Sequence, residues 1–129
     1  MFPSMHVCLP SDFRAARAAR QSIRSLEPYV PEEKIQDLNL LVSELVTNSV
    51  KHGSLMQDQA IEIDANPTER GIKIEVSNPG RADMTNKIEQ RAMAESGWGL
   101  LLVTKIASRW GMSMNGSTHI WFELDLVDA

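Results

Sequence analysis

Leu41-Val42-Ser43-Glu44-Leu45-Val46-Thr47-Asn48-Ser49-Val50-Lys51-His52-Gly53 decides the reading of this chain. Ile35, Leu38, Val42, Leu45, Val46 and Ser49 recur at helical spacing and form one stripe for a core to bury. Pro31 suits a first helical turn, Glu32 and Glu33 favour its positive end, and Gly53 fits a left-handed C-terminal cap. Glu44 and Asn48 then lie one above the other on one helix face, and His52 extends the ladder by a further turn. Asparagine is a poor helix former that prefers caps, so Asn48 inside a strong helix asks for a reason. Mg²⁺ takes few protein ligands and keeps water and phosphate oxygens. The Asn48 carbonyl oxygen is a candidate ligand for it, and the Glu44 carboxylate a candidate to orient or deprotonate a water or hydroxyl. Taken alone, such a pair is also common on a solvated helix face. His52, in the last turn, reads as a dipole partner rather than a catalyst.

Outward from this helix the chain alternates between sheet and helix patterns. Met5 to Leu9 reads as a first strand ended by Pro10, with Ser11 and Asp12 opening a helix from Phe13 to Leu26. Pro28 and Pro31 bracket a break. After the long helix, Ile61, Ile63 and Ala65 alternate with Glu62 and Asp64, and Ile72, Ile74 and Val76 alternate with Lys73, Glu75 and Ser77. Residues 66–71 form the turn between them. Pro79 to Ser96 has no regular apolar period and reads as a loop. Gly99 to Arg109 is an apolar helix. Trp110–Met114 and Thr118–Leu126 make a final hairpin around Asn115-Gly116-Ser117, with Ile120, Phe122, Leu124 and Leu126 on one face. This order predicts one domain over residues 1–129. It is an α/β two-layer sandwich, with a mixed, mostly antiparallel sheet covered on one face by three helices and open on the other.

Two further segments carry candidate site residues. Gly97-Trp98-Gly99 runs into the helix that opens at Leu100. Glycines let backbone approach a phosphate, and a helix N-terminus offers free N–H groups. An ordinary loop-to-helix junction looks the same. Asn78 continues the inward row of Ile72, Ile74 and Val76 and precedes Pro79-Gly80. A polar group at the end of a buried row suits recognition of a base, while Asn-Pro-Gly is also a common turn.

Composition narrows the class. The chain has 129 residues and a net charge of -4, which argues against nucleic acid or an anionic membrane as main partner. No apolar run approaches the ~20 residues of a spanning helix. The N-terminus has no basic region of a signal peptide, and Cys8 is the single cysteine, so a cytoplasmic location is expected. Three histidines far apart in sequence and no second cysteine give no zinc-site expectation.

These segments resemble the N, G1 and G2 boxes of the GHKL ATPase superfamily, the Bergerat fold, and are most similar to its stand-alone anti-sigma-factor serine kinases. The resemblance rests on Leu41–Gly53, Glu75-Val76-Ser77-Asn78-Pro79-Gly80, Gly97-Trp98-Gly99-Leu100-Leu101-Leu102-Val103 and Arg109-Trp110-Gly111, in that order. It implies an ATP site with Glu44 as base and Asn48 as Mg²⁺ ligand. It further implies Asn78 and Gly80 on the adenine side, Gly97, Gly99 and Leu100 at the phosphates, and Pro79 to Ser96 as lid. It implies a kinase that phosphorylates a serine on a STAS-domain anti-anti-sigma protein and sequesters a sigma factor. Members often pair as homodimers, and the open sheet face or Trp121 offers such a contact. The G1 box normally reads Asp-x-Gly-x-Gly; here Asn78 replaces the aspartate and Ala82 the second glycine. The alternative implied is a nucleotide-weak or non-catalytic module that acts by sequestering a protein partner. A plain ATPase, or a histidine-kinase-like catalytic domain acting on a separate protein, is a third reading.

Overall fold

Alternation of apolar and polar residues in the strands builds a single five-stranded sheet. The computed structural model describes residues 3–52, 60–78, 100–114 and 117–127. Its elements are β1 (Met5–Leu9), α1 (Ala15–Ile23), a 3₁₀ helix (Arg24–Tyr29), α2 (Glu32–His52), β2 (Ile61–Pro67), β3 (Gly71–Asn78), α3 (Leu100–Ile106), β4 (Arg109–Met114) and β5 (Thr118–Asp125). The strand order is β1-β2-β3-β5-β4. Every pair is antiparallel, so the parallel component expected of a mixed sheet is missing among the described strands.

One face of the sheet is the core face. Ile61, Ile63 and Ala65 from β2, Ile72, Ile74 and Val76 from β3, and Ile120, Phe122 and Leu124 from β5 are buried. They meet Leu38, Leu41, Val42, Leu45 and Val46 of α2. Full burial of each large aliphatic side chain stabilises by about 1.5–3 kcal/mol, so this row against α2 holds the two layers together. Helix α1 packs on α2 through small residues, Ala15 and Ala19, with Ile23 following at the same spacing.

The first helix is shorter than its composition predicts. Helix α1 stops at Ile23, and the chain continues as a 3₁₀ helix that contains Pro28. In an α-helix the Pro28 ring would collide with the carbonyl of Arg24, and Pro28 has no N–H to donate. The tighter turn avoids the clash. At the other end, Asp12 Oδ1 accepts a hydrogen bond from the Arg14 backbone N–H at 2.9 Å and also binds the Arg14 guanidinium.

The second sheet face is polar. It carries His6, Glu62, Asp64, Lys73, Glu75, His119, Trp121 and Glu123 at alternate positions. The Trp121 ring lies across Gly111, where a Cβ would sit 2.6 Å from the indole nitrogen. Lys73 Nζ stands 4.6 Å from the same ring.

Candidate functional site

The antiparallel order brings the start of β2, the end of β3 and the start of β5 to one end of the sheet. Helix α2 finishes at His52 and β2 begins at Ile61. Glu62 pairs with Ser77, so the start of β2 lies beside the end of β3. Asn78, the last residue of β3, pairs with Thr118, the first of β5. Helix α2 packs on β3.

Polar side chains gather in the interior here. Asn48 on α2 is 3% exposed, Asn78 on β3 is 2% exposed and Thr118 on β5 is 1% exposed. Asn78 extends the inward row of β3, and Thr118 extends the row of Ile120, Phe122 and Leu124. Among the described residues, Asn48 Nδ2, both amide atoms of Asn78 and Thr118 Oγ1 are buried without a hydrogen-bond partner. Each such group costs about 1–3 kcal/mol when left unpaired. Asn78 and Thr118 are paired across β3 and β5, and Asn48 is on the helix that packs on β3; unpaired buried groups of this kind are the pattern of a site that awaits polar contacts. Asn78 can accept through Oδ1 and donate through Nδ2. It also borders a recess of about 300 Å³ lined by Ala60, Glu62, Ser77, Ser117 and His119.

Glu44 lies one turn before Asn48 and is half-buried. Among the described residues it has no hydrogen bond or ion pair, which leaves its carboxylate open to a water or a hydroxyl. Of the other predicted site residues, Gly80, Gly97 and Gly99 lie outside the described residues, as do the Pro79 to Ser96 segment, Ala82 and the Gly53 cap. Leu100 is the first residue of α3, and its side chain is outside them too. Thr118 is the residue the motif reading overlooked. The signal was present: it sits two positions before Ile120 on the alternation that marks the buried face of β5.

The sequence profile of the histidine kinase-like ATPase domain matches residues 9–123. The chain belongs to the histidine kinase-like ATPase domain family. This ATPase domain also superposes on the crystal structure of the RsbU and RsbW domains of Rv1364c from Mycobacterium tuberculosis, with a TM-score of 0.69 and 22% sequence identity. The match covers 97% of this chain and 32% of that chain. At that identity the likeness speaks for the fold, and the ATPase domain spans about a third of the length of the larger protein. The curated proteins gave no significant sequence match. Among the described residues of the ATPase domain, no helix is long and apolar enough to cross a membrane.

Proposed function

We propose that this chain binds Mg²⁺-ATP between α2 and the sheet and phosphorylates a serine or threonine on a STAS-type anti-anti-sigma partner, as a cytoplasmic anti-sigma-factor-type kinase. The observation that carries the reading is the set of unpaired buried polar atoms on Asn48, Asn78 and Thr118. The Asn78 amide and the Thr118 hydroxyl suit the edge of a base; the unpaired atom of Asn48 is its Nδ2 donor, so a hard cation would draw on the other amide atom, the carbonyl Oδ1. Asn78 Oδ1 would accept a hydrogen bond from the adenine amino group, and Gly80 would also take the adenine side. Asn48 would supply one oxygen ligand, its carbonyl Oδ1, to the metal. When bound, Mg²⁺ neutralises phosphate charge and aligns the transferred group. Gly97, Gly99 and the backbone N–H of Leu100 would hold the phosphates. Glu44 takes the proton of the partner's hydroxyl as that oxygen bonds to the γ-phosphorus and the β–γ bridge breaks to release ADP.

Transfer of the γ-phosphoryl group from labelled ATP to a purified STAS-domain protein tests this. Glu44→Ala should abolish transfer and leave ATP binding nearly intact; retained transfer would remove Glu44 from the role of base. A second reading is supported by Asn78 itself, where the family motif carries an aspartate. A neutral acceptor makes a hydrogen bond of roughly half the strength of a charged one. Such a chain would hold its partner without phosphorylating it, and capture of the partner with no phosphoserine formed would favour that reading.

A further inference from the structure

The open sheet face holds a second cluster, one that separation in sequence hides. Alternation along β1 puts His6 and Cys8 on the same face. The β1–β2 register sets Cys8 opposite Glu62 and His6 opposite Asp64. The donor atoms of His6, Cys8 and Glu62 all lie within 4.8 Å of one another. We propose that His6 Nε2, Cys8 Sγ and Glu62 Oε1 form a binding site for a zinc-class divalent cation, with Asp64 orienting the His6 ring.

The distances carry the proposal. Bond lengths of about 2.3 Å for Zn–S, 2.05 Å for Zn–N and 2.0 Å for Zn–O at tetrahedral angles put the nitrogen and oxygen about 3.3 Å apart, and the sulfur about 3.5 Å from each. In the protein, His6 Nε2 and Glu62 Oε1 are 3.3 Å apart. Cys8 Sγ is 3.9 Å from His6 Nε2 and 4.0 Å from Glu62 Oε1. A small rotation of the Cys8 side chain, which is exposed and free of disulfide, closes the difference.

The surroundings match the same chemistry. His6 Nδ1 is 2.6 Å from Asp64 Oδ1. A carboxylate that holds one ring N–H leaves the other nitrogen lone pair to a metal, as the outer partners of metal-bound histidines do. Thiolate, imidazole and carboxylate together select Zn²⁺ or Co²⁺ over Mg²⁺ or Ca²⁺, which want oxygen alone. Three protein donors leave the fourth position to water. The site is on the face opposite the Asn48–Asn78 layer, so it stands whether or not nucleotide binds there. A bound ion would clip the edge strand β1 to β2.

The test is titration of the untagged, phosphine-reduced full chain with Co²⁺, followed by displacement with Zn²⁺. The expected result is saturation at one equivalent, a near-ultraviolet thiolate-to-cobalt band and the strong visible bands of a four-coordinate ion. Zn²⁺ then bleaches these bands and raises the Tm. Cys8→Ser should remove the charge-transfer band. Asp64→Asn should weaken Co²⁺ by about 10–100-fold, and His6→Gln and Glu62→Gln by more. All four positions are on the surface, and circular dichroism checks that each variant folds; His119→Gln should leave affinity unchanged. Absence of the charge-transfer band at millimolar Co²⁺ overturns the proposal. So does a band whose affinity is the same in wild type, His6→Gln and Glu62→Gln, which would mean that the thiol binds alone.

Discussion

Replacing Asn78 by aspartate separates the two demands on this position. Asn78 is 2% exposed, and neither of its amide atoms has a partner among the described residues. An ionised carboxylate there would be buried with no counter-charge among the described residues, so the side chain holds its proton and its pKa rises. If the folded value exceeds 7 against about 3.9 unfolded, the cost at pH 7 reaches about 4 kcal/mol, at 1.36 kcal/mol per pKa unit. The sign follows from linkage. The folded-state pKa lies above the unfolded one, so the penalty is absent below about pH 3.9 and grows as pH rises towards the folded value. Nucleotide offsets part of that cost. A charged acceptor improves the bond to the adenine amino group by about 1 kcal/mol, or roughly fivefold in affinity. Guanine offers a carbonyl there, which the Asn78 amide can meet by donating and a carboxylate repels. Asn78→Asp should thus lower apo stability at pH 7 more than at pH 4, tighten ATP, and weaken GTP. Urea denaturation at both pH values and calorimetric titration with each nucleotide measure all of this. Equal affinities for ATP and GTP in both proteins, with stability unchanged at pH 7, would refute the placement of Asn78 as a buried base-recognising residue.

Thr118→Val replaces an unpaired buried hydroxyl by a methyl group of the same shape; apo stability should rise by about 1 kcal/mol in denaturant melts while ATP affinity falls. Gly111→Ala should push Trp121 off the sheet, because the new Cβ would stand 2.6 Å from the ring. It should cost about 1–3 kcal/mol and change the Trp emission through loss of the Lys73 contact. Asp12 is held below its ordinary pKa of 3.8, first by the Arg14 guanidinium and then by the Arg14 backbone N–H. Its contribution to stability is present above that value and is lost as pH falls through the depressed one. Carboxyl NMR titration should place its midpoint below 3.8 and move it upward in Arg14→Gln.

Legibility in the sequence followed how local each cause is. The strands were readable because alternation at Ile61–Ala65, Ile72–Val76 and Ile120–Leu124 is set by neighbours two residues away. Helix α2 was readable from its stripe and from Pro31. The expected continuation of α1 to Leu26 failed because Ala- and Arg-rich propensity ignores the clash that Pro28 imposes four residues back. Asn78 could be singled out as a polar residue on an apolar row, and Asn48 as a poor helix former one turn after Glu44 in a strong helix. Their burial and unpaired state could not, since both depend on α2 packing on β3. The cluster of His6, Cys8 and Glu62 was invisible for the same reason: Cys8 and Glu62 meet only through the β1–β2 register, and a register is a property of the folded sheet.

The measurement that tests the central claim most directly is calorimetric titration of ATP into wild type and Asn48→Ala, each with Mg²⁺ and with EDTA. The account predicts binding to the wild type that depends on Mg²⁺, and much weaker, metal-insensitive binding to Asn48→Ala. No binding at millimolar ATP, or binding equal in both proteins and indifferent to Mg²⁺, would contradict it.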